Sequence, residues 1–494
     1  MRKRKFILNI FSALLKQITL LICGFILPRY ILLYYGSSIN GLVTSITQFL
    51  GFITFLEMGI GPVIQSNLYK PLAQKNKIEI SQIIVSAEKF FRKIAMISIL
   101  YIFVLIIISP VLINSSYDFW FTASLIAIIS ISSFAQYYFG IAYQLLLNAD
   151  QRSYVQTNLQ TITIFLNTLF SVILMIMGCS IHIVKISTAI IYMIRPIGQI
   201  IYVKKHYDID KRVQYLSEPI KQKWNGFAQH LSSVVVTNTD VVVLSIFSTL
   251  QNISIYSVYY SVVFGISNTV MTLVTGLESL WGNMLAKKEY KRLIETFELV
   301  EWGIHSGCTL LFTITGILII PFITVYTKGI NDTNYIVPIF GGLLVISYAL
   351  QCLRIPYFRI IKAAGYYKQT QNGSFIQMII NIILSVFLVY KYGLNGVALG
   401  TLIAMLYHTT YFAWYLRKKI VNRKFYHYIR YMTFDIMTVI LSITVTRNIY
   451  LSDVTYLSWI IMALKIFIRC SIVSLLINIV FFKKNIEKLI KTIK

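Results

Sequence analysis

Acidic side chains are scarce in this chain: 18 Asp and Glu stand against 45 Lys and Arg, and charged residues of both signs make up only 13% of its 494 residues. A typical soluble domain carries about 25%, so an ordinary soluble protein is excluded. Disorder is excluded too, because 57% of the residues are hydrophobic and 14% aromatic, and disordered chains are poor in both. The acid deficit leaves a formal net charge of +27. That sum would suggest nucleic-acid binding if the basic residues formed a patch, but they punctuate long apolar runs instead.

Cysteine pairs are also missing. Cys23, Cys179, Cys308, Cys352 and Cys470 stand singly inside apolar stretches, which excludes a disulfide framework or a zinc site and leaves small packing residues. Catalytic signatures are absent: there is no HExxH, GxSxG, P-loop or strand-linked GxGxxG, so ATP-driven transport by this chain alone has no support. The six histidines, His182, His206, His230, His305, His408 and His427, are isolated in sequence and read as packing or interface residues.

What is present is apolar length. The mean hydropathy is +0.70, and at about 20 apolar residues per crossing the chain can supply a dozen or more membrane helices. Fourteen spans are predicted, at 7–34, 39–67, 91–113, 119–147, 156–179, 182–203, 227–249, 251–285, 299–326, 335–362, 373–390, 394–416, 430–449 and 456–482. Their Ser, Thr, Asn, Gln and Gly content suits helices packed around a polar interior. The first span follows MRKRK and is too long for the apolar core of a secretory signal, so it reads as a membrane helix anchored by Arg2, Lys3, Arg4 and Lys5.

Placing the N-terminus inside collects the great majority of loop Lys and Arg on one face, including Lys204, Lys205, Lys287, Lys288, Arg417, Lys418 and the C-terminal lysines. The opposite loops hold only Lys185, Lys328, Lys391 and Arg447. The positive-inside rule then puts both termini in the cytoplasm. The outer loops are short, the longest being near Thr327–Tyr335, which leaves little material for an external active site.

The chain also echoes itself. LEMGIGPVIQSNLYKPL, with Leu56, Glu57, Gly61, Tyr69, Lys70 and Leu72, matches LESLWGNMLAKKEYKRL, with Leu277, Glu278, Gly282, Tyr290, Lys291 and Leu293. An even number of spans separates the two stretches, so the halves share one orientation, a parallel repeat of the kind some transporters use for alternating access. The expected organisation is an N-terminal lobe at 1–204, a cytoplasmic linker at 205–226, a second six-helix lobe at 227–416 and two extra helices with a basic tail at 417–494.

Charges within spans are costly and by default face a polar cavity or a partner. Seven basic residues remain there: Lys16, Arg29, Arg195, Arg354, Arg359, Lys465 and Arg469. Lys16 lies about 12 Å along its helix from Leu8 at 1.5 Å per residue, and Arg195 and Arg354 sit near mid-span; these three read as cavity residues, the alternative being buried ion pairs with Asp240 or Glu57. Arg29 and Arg359 are close enough to span ends to snorkel. Lys465 and Arg469 adjoin on one helical face and call for an anionic partner. The acidic set, chiefly Glu57, Asp240 and Glu278, provides candidates for ion coupling or ion pairing. A cavity richer in guanidinium and ammonium than in carboxylate selects an anion, and guanidinium matches phosphate in bidentate fashion. An exporter of cationic drugs would need the reverse balance.

Four stretches carry a resemblance: PRYILLYYGSSINGL (28–42), FLEMGIGPVIQSNLYKPLAQKNK (55–77), LLLNADQRSYV (145–155) and WNGFAQHLSSVVVTNTDVVVLSIFSTLQNISIYSVYYSVV (224–263). Through them the chain resembles the Wzx-type polysaccharide repeat-unit flippases (O-antigen and capsule) of the multidrug/oligosaccharidyl-lipid/polysaccharide (MOP) exporter superfamily. The resemblance implies an all-α polytopic fold of about 14 transmembrane helices, with two six-helix lobes forming a V around a central cavity and two C-terminal helices. It implies an undecaprenyl-diphosphate-linked oligosaccharide as substrate, moved from the inner to the outer leaflet of the bacterial cytoplasmic membrane for surface polysaccharide biosynthesis. Membrane lipids and other polysaccharide-assembly proteins are the implied partners. Lipid II flippases, which are similar, place lipid along the additional helices, so Lys465 and Arg469 would border a lipid groove. Arg29, Arg359, Lys16, Arg195 and Arg354 would line the cavity. No cofactor is implied, and coupling to protons or Na⁺ is open. The alternatives are a cation-coupled antiporter of the same superfamily and, in other classes, a membrane glycan polymerase or ligase or a non-transporting membrane scaffold.

Overall fold

The structure is a computed structural model and describes residues 2–53, 60–113, 117–213, 227–421 and 423–493. Glu57 and most of the expected linker, residues 214–226, lie outside the described residues. Among the described residues every regular element is helical. This is the outcome the bilayer imposes, because a backbone with no water to bond must satisfy its own N–H and C=O groups.

The first helices are α1 (Arg2–Gly51), α2 (Gly61–Gln74), α3 (Lys77–Leu112), α4 (Phe119–Ala135), α5 (Ile141–Ala149), α6 (Ser153–Ile176), α7 (Ile181–His206) and α8 (Phe227–Phe247). They continue as α9 (Leu250–Leu273), α10 (Leu277–Ala286), α11 (Tyr290–Tyr326), α12 (Pro338–Leu353), α13 (Ile355–Ala363) and α14 (Tyr367–Lys419). The last three are α15 (Tyr426–Thr446), α16 (Tyr456–Phe481) and α17 (Lys483–Ile493). A single π-helical turn, Gln136–Gly140, joins α4 to α5.

Eleven of these stretches are long and apolar enough to cross a membrane, and Val235–Phe247 forms a shorter apolar one. Two of the eleven are each broken in mid-course by a glycine in left-handed backbone: Gly36 in α1 has φ 80° and Gly393 in α14 has φ 52°. A side chain at either position would meet the steric cost of positive φ. Among the described residues, counting the broken helices as two each and adding Val235–Phe247 gives the fourteen spans expected. In α14 the break closes a hairpin: the Asn381 amide donates to the Thr401 hydroxyl at 3.0 Å. Twenty residues of straight helix would hold those groups about 30 Å apart.

Helix starts are set by local side chains. Asn76 accepts from the Glu79 backbone N–H at 3.2 Å while its own amide reaches the Glu79 carboxylate at 3.3 Å, a reciprocal cap for α3. Asp118 caps α4 at the Trp120 N–H and Thr455 caps α16 at the Ser458 N–H.

The chain divides into two compact units, Met1–Ser254 and Ile255–Lys494. In the first, α1 packs on α6 and α8, and α7 packs on α6 and α4. In the second unit α12 lies on α14, and α11 packs against α12, α15 and α16. The helix order recurs: Lys77, Ser153 and Ile181 open helices in the first unit, as Tyr290, Tyr367 and the residue after the Gly393 break do in the second.

Between helices, large buried side chains such as Trp281, Phe297, Tyr357 and Phe412 pack together, and small residues and hydroxyl or amide bonds join them, since lipid tails offer no hydrophobic gain for association. Asn40 donates to Ser254 at 2.8 Å, Ser245 to Ser45 at 2.9 Å and Gln251 to Ser38 at 2.9 Å. The N-terminal basic anchor is also tied down: Lys5 pairs with Asp150 at 3.1 Å, and the same carboxylate meets Arg152 at 2.8 Å. Tyr207 donates to it at 2.6 Å. Burial and the adjacent carboxylate push the Tyr207 hydroxyl well above the usual phenol range, keeping it neutral as a donor.

Among the described glycines of the first unit, Gly41 is the most tightly packed: an added Cβ would lie 1.9 Å from the Leu250 carbonyl oxygen. Backbone cannot rotate away as a flexible side chain can. The substitution Gly41→Ala should therefore destabilise the protein by about 1–3 kcal/mol, read as a lower unfolding midpoint of the detergent-purified chain. An unchanged midpoint would reject this packing.

Candidate functional site

A cavity of about 640 Å³ opens within the first unit. One wall is α7, whose residues Lys185, Thr188, Ala189, Tyr192 and Arg195 line it. They recur at helical spacing and so share one face. The opposite face of α7 presents Ile183, Ile186, Ile190, Ile197 and Ile201, all exposed. The helix is thus polar toward the cavity and apolar toward lipid.

The neighbouring wall is α6, with Gln160 and Asn167 on the cavity side and Ile162, Phe165, Leu169 and Ile173 exposed on the other. The π-helical turn contributes Gln136 and Tyr137, and Gln144 follows on α5. The Gln136 amide donates to the Gln144 side-chain oxygen at 3.1 Å, while Gln136 Oε1 is a buried acceptor with no hydrogen-bond partner among the described residues. A π turn adds one residue to the helical register and shifts the side chains that follow.

Arg195 is held rather than neutralised. Its Nε donates to the Thr163 hydroxyl at 2.6 Å, and its guanidinium lies 4.1 Å from the centre of the Tyr192 ring. No carboxylate lines the cavity among the described residues. The charge is therefore positioned by a hydroxyl and an aromatic face, and its attraction for an anion is left available.

Lys185, expected in an outer loop, lies instead on the first turns of α7, facing the cavity. The register is legible in the sequence, since Lys185, Thr188, Tyr192 and Arg195 fall on one helical stripe. Lys16 stands one residue removed from the cavity: its ammonium reaches the side-chain oxygen of the lining Gln160 at 3.4 Å. Arg29 is partly buried on α1 and does not line the cavity. Asp240 is buried on α8, 3% exposed, and likewise does not line it.

The remaining candidates belong to the second unit. Arg354 bonds through its guanidinium to His408 on α14 and lies 5.5 Å from the Phe358 ring centre. Arg359 pairs with Glu278 at 3.1 Å, joining α13 to α10. Lys465 and Arg469 are exposed on α16, where Arg469 donates to the Val445 carbonyl at 2.9 Å. An apolar groove of about 730 Å³ runs between α11, α12 and α15, with Asp435 and Arg447 among its few charged residues. Lys465 and Arg469 do not line it.

Two buried ionic clusters escape the sequence reading. Glu301 on α11 is 0% exposed and bonds in bidentate fashion with Arg423, one arm at 2.6 Å. One turn along, His305 Nδ1 lies 2.6 Å from Asp435 Oδ2 and its Nε2 lies 2.9 Å from the Tyr357 hydroxyl. Thr309 donates to the other Asp435 oxygen at 2.7 Å. Both carboxylates sit in predicted spans, so the rule used for the basic residues would have found them; their partners, separated by more than a hundred positions, follow only from the fold. These clusters bind α15 and the loop before it to α11. Their carboxylates are already matched, unlike the cations of the cavity.

No protein-family model matches the chain, and no curated protein sequence does. Solved structures do match in fold. A structure described as the lipid II flippase MurJ in an inward closed conformation aligns with a TM-score of 0.72 at 15% identity, over 98% of this chain and 99% of that one. An inward-facing multidrug resistance MATE family transporter of the MOP superfamily gives a TM-score of 0.60 at 12% identity, covering 82% of this chain and 94% of that one. A point mutant of the Vibrio cholerae MATE transporter VcmN gives 0.59 at 14% identity, covering 86% and 98% respectively. The chain has the fold of MOP-superfamily transporters.

Arg423→Ala would leave the Glu301 carboxylate buried and unmatched, an expected loss of about 3–5 kcal/mol of stability. Adding Glu301→Gln should restore part of it, so the double variant loses less than the sum of the single losses in thermal unfolding. Strict additivity would show that the pair is not coupled.

Proposed function

We propose that this chain is a flippase that moves an undecaprenyl-diphosphate-linked oligosaccharide from the inner to the outer leaflet of the bacterial cytoplasmic membrane, with both termini in the cytoplasm. The observation that carries the reading is the first-unit cavity, which holds two cations, several amides and hydroxyls, and no carboxylate among the described residues. That lining suits an anionic headgroup rich in hydroxyls and is wrong for a cationic drug. The MOP-superfamily fold supports transport at the coarser level.

The energetics explain why a protein is required. Each sugar hydroxyl moved unbonded into hydrocarbon costs about 4–8 kcal/mol, so a few sugars suffice to stop spontaneous flipping. Gln136, Gln144, Gln160 and Asn167 keep such hydroxyls bonded, and Arg195 offers its guanidinium to the diphosphate. Two lobes working by alternating access would expose the headgroup to one side at a time. An inside-negative potential favours outward movement of an anion by about 2.3 kcal/mol per charge per 100 mV, so coupling to protons or Na⁺ is not required by the energetics. Asp240, buried in the first unit, is a candidate for such coupling. The basic inner loops suit anionic lipid headgroups and provide a face for enzymes of polysaccharide assembly.

Depletion of the chain in its own cell should cause lipid-linked oligosaccharide to accumulate on the inner leaflet; no accumulation would overturn the flippase reading. Arg195→Ala should lower surface glycan at least about tenfold, the scale of one lost charge-assisted contact, with the protein still in the membrane by immunoblot. Unchanged glycan in that variant would remove Arg195 from the site.

A further inference from the structure

We infer that Lys185 recognises a second anionic group on the substrate, a carboxylate carried by a sugar remote from the diphosphate. The inference rests on the flippase reading above and adds the chemical class of the glycan, an acidic oligosaccharide.

Lys185 and Arg195 both line the cavity from α7. Ten residues separate them, which places them about 15 Å apart along the axis. Side chains on a helix all lean toward its N-terminus, so the two groups keep that separation instead of converging. A diphosphate is too compact to bridge it, whereas a short oligosaccharide attached to one has the required reach. The space between them is lined by the hydroxyl of Thr188 and the ring of Tyr192 on α7, with Asn167 across on α6. Those are groups that bond to and stack on sugars.

The two cations differ in kind. Arg195 offers a planar fork, fixed by Thr163 and Tyr192, which suits the paired oxygens of a diphosphate. Lys185 offers a compact point charge with three rotatable donors, suited to a single carboxylate. No hydrogen bond or ion pair to Lys185 is found among the described residues, and no carboxylate lines the cavity with it. An ammonium set in a transmembrane helix is costly unless something anionic meets it, and among the described residues no carboxylate of the cavity lining does so. By the charge rule of the loops, α7 enters from the outer face and ends on Lys204 and Lys205. Lys185 is thus the outermost cation of the cavity, and the sugars precede the diphosphate outward.

The test uses the full chain in lipid nanodiscs and two synthetic probes: a polyprenyl-diphosphate trisaccharide ending in a neutral hexose, and the same molecule ending in glucuronate. The wild type should bind the glucuronate probe about tenfold more tightly, the scale of one charge-assisted contact. Lys185→Gln should abolish that preference and Lys185→Arg should retain it. Arg195→Gln should weaken both probes and leave their ratio intact. Equal wild-type affinities, or a preference that survives Lys185→Gln, would overturn the inference while the flippase reading stands. Failure of the wild type to bind either probe would overturn the flippase reading and the inference with it.

Discussion

A charge inside hydrocarbon must meet a partner of opposite charge, a polar neighbour or a hydrated cavity, and that single constraint sorts the ionisable residues of this protein. Glu301 meets Arg423, Glu278 meets Arg359, and Asp435 meets His305 and Thr309. These pairs hold α10 to α13 and α15 to α11, so they read as fasteners. Lys185 and Arg195 meet no carboxylate among the described residues, and both face a cavity. The difference between a fastener and a ligand-binding charge is whether the protein itself supplies the counter-ion.

The same economy governs the backbone. With hydrocarbon outside, each crossing must be a helix, and a sharp reversal mid-run is eased where a residue accepts left-handed backbone. Gly393 does so in α14, and hydrogen bonding across the break from Asn381 to Thr401 then fastens the hairpin. Association of the helices depends on tight packing, on close approach and on buried hydroxyl and amide bonds, because there is no hydrophobic driving force between helices in lipid. Gly41 against the Leu250 carbonyl and Asn40 against Ser254 are the two forms of that contact within a few residues of each other. The exposed isoleucines of α7 and the exposed Leu464, Phe467, Ile468 and Ile472 of α16 complete the pattern as a lipid-facing surface.

Much of this is legible in the sequence, and the exceptions have a common cause. Span number follows from apolar length, which reports burial in lipid directly. Arg195 reads as a cavity residue from its depth, because depth is a property of one helix. Arg354 reads the same way by the same rule, and the fold adds its bond to His408. Arg359 groups with the cavity in the sequence, and the fold adds its pairing with Glu278. Lys465 and Arg469 are expected beside a lipid groove, yet the groove found is lined without them. Lys185 counts as a loop residue when taken with the nearest span end, although its stripe with Thr188, Tyr192 and Arg195 marks it as part of α7.

By itself, then, the sequence determined the solvent of this protein, its helical class and the number of its crossings. Those depend on composition and on periodicity along one segment, where hydrocarbon acts on each residue locally. Only the tertiary structure decided which charges are paired with a carboxylate and which face a cavity. That choice depends on whether helices distant in the chain bring a carboxylate or an empty polar wall to the same depth, as α10 does for Arg359 and α6 for Arg195.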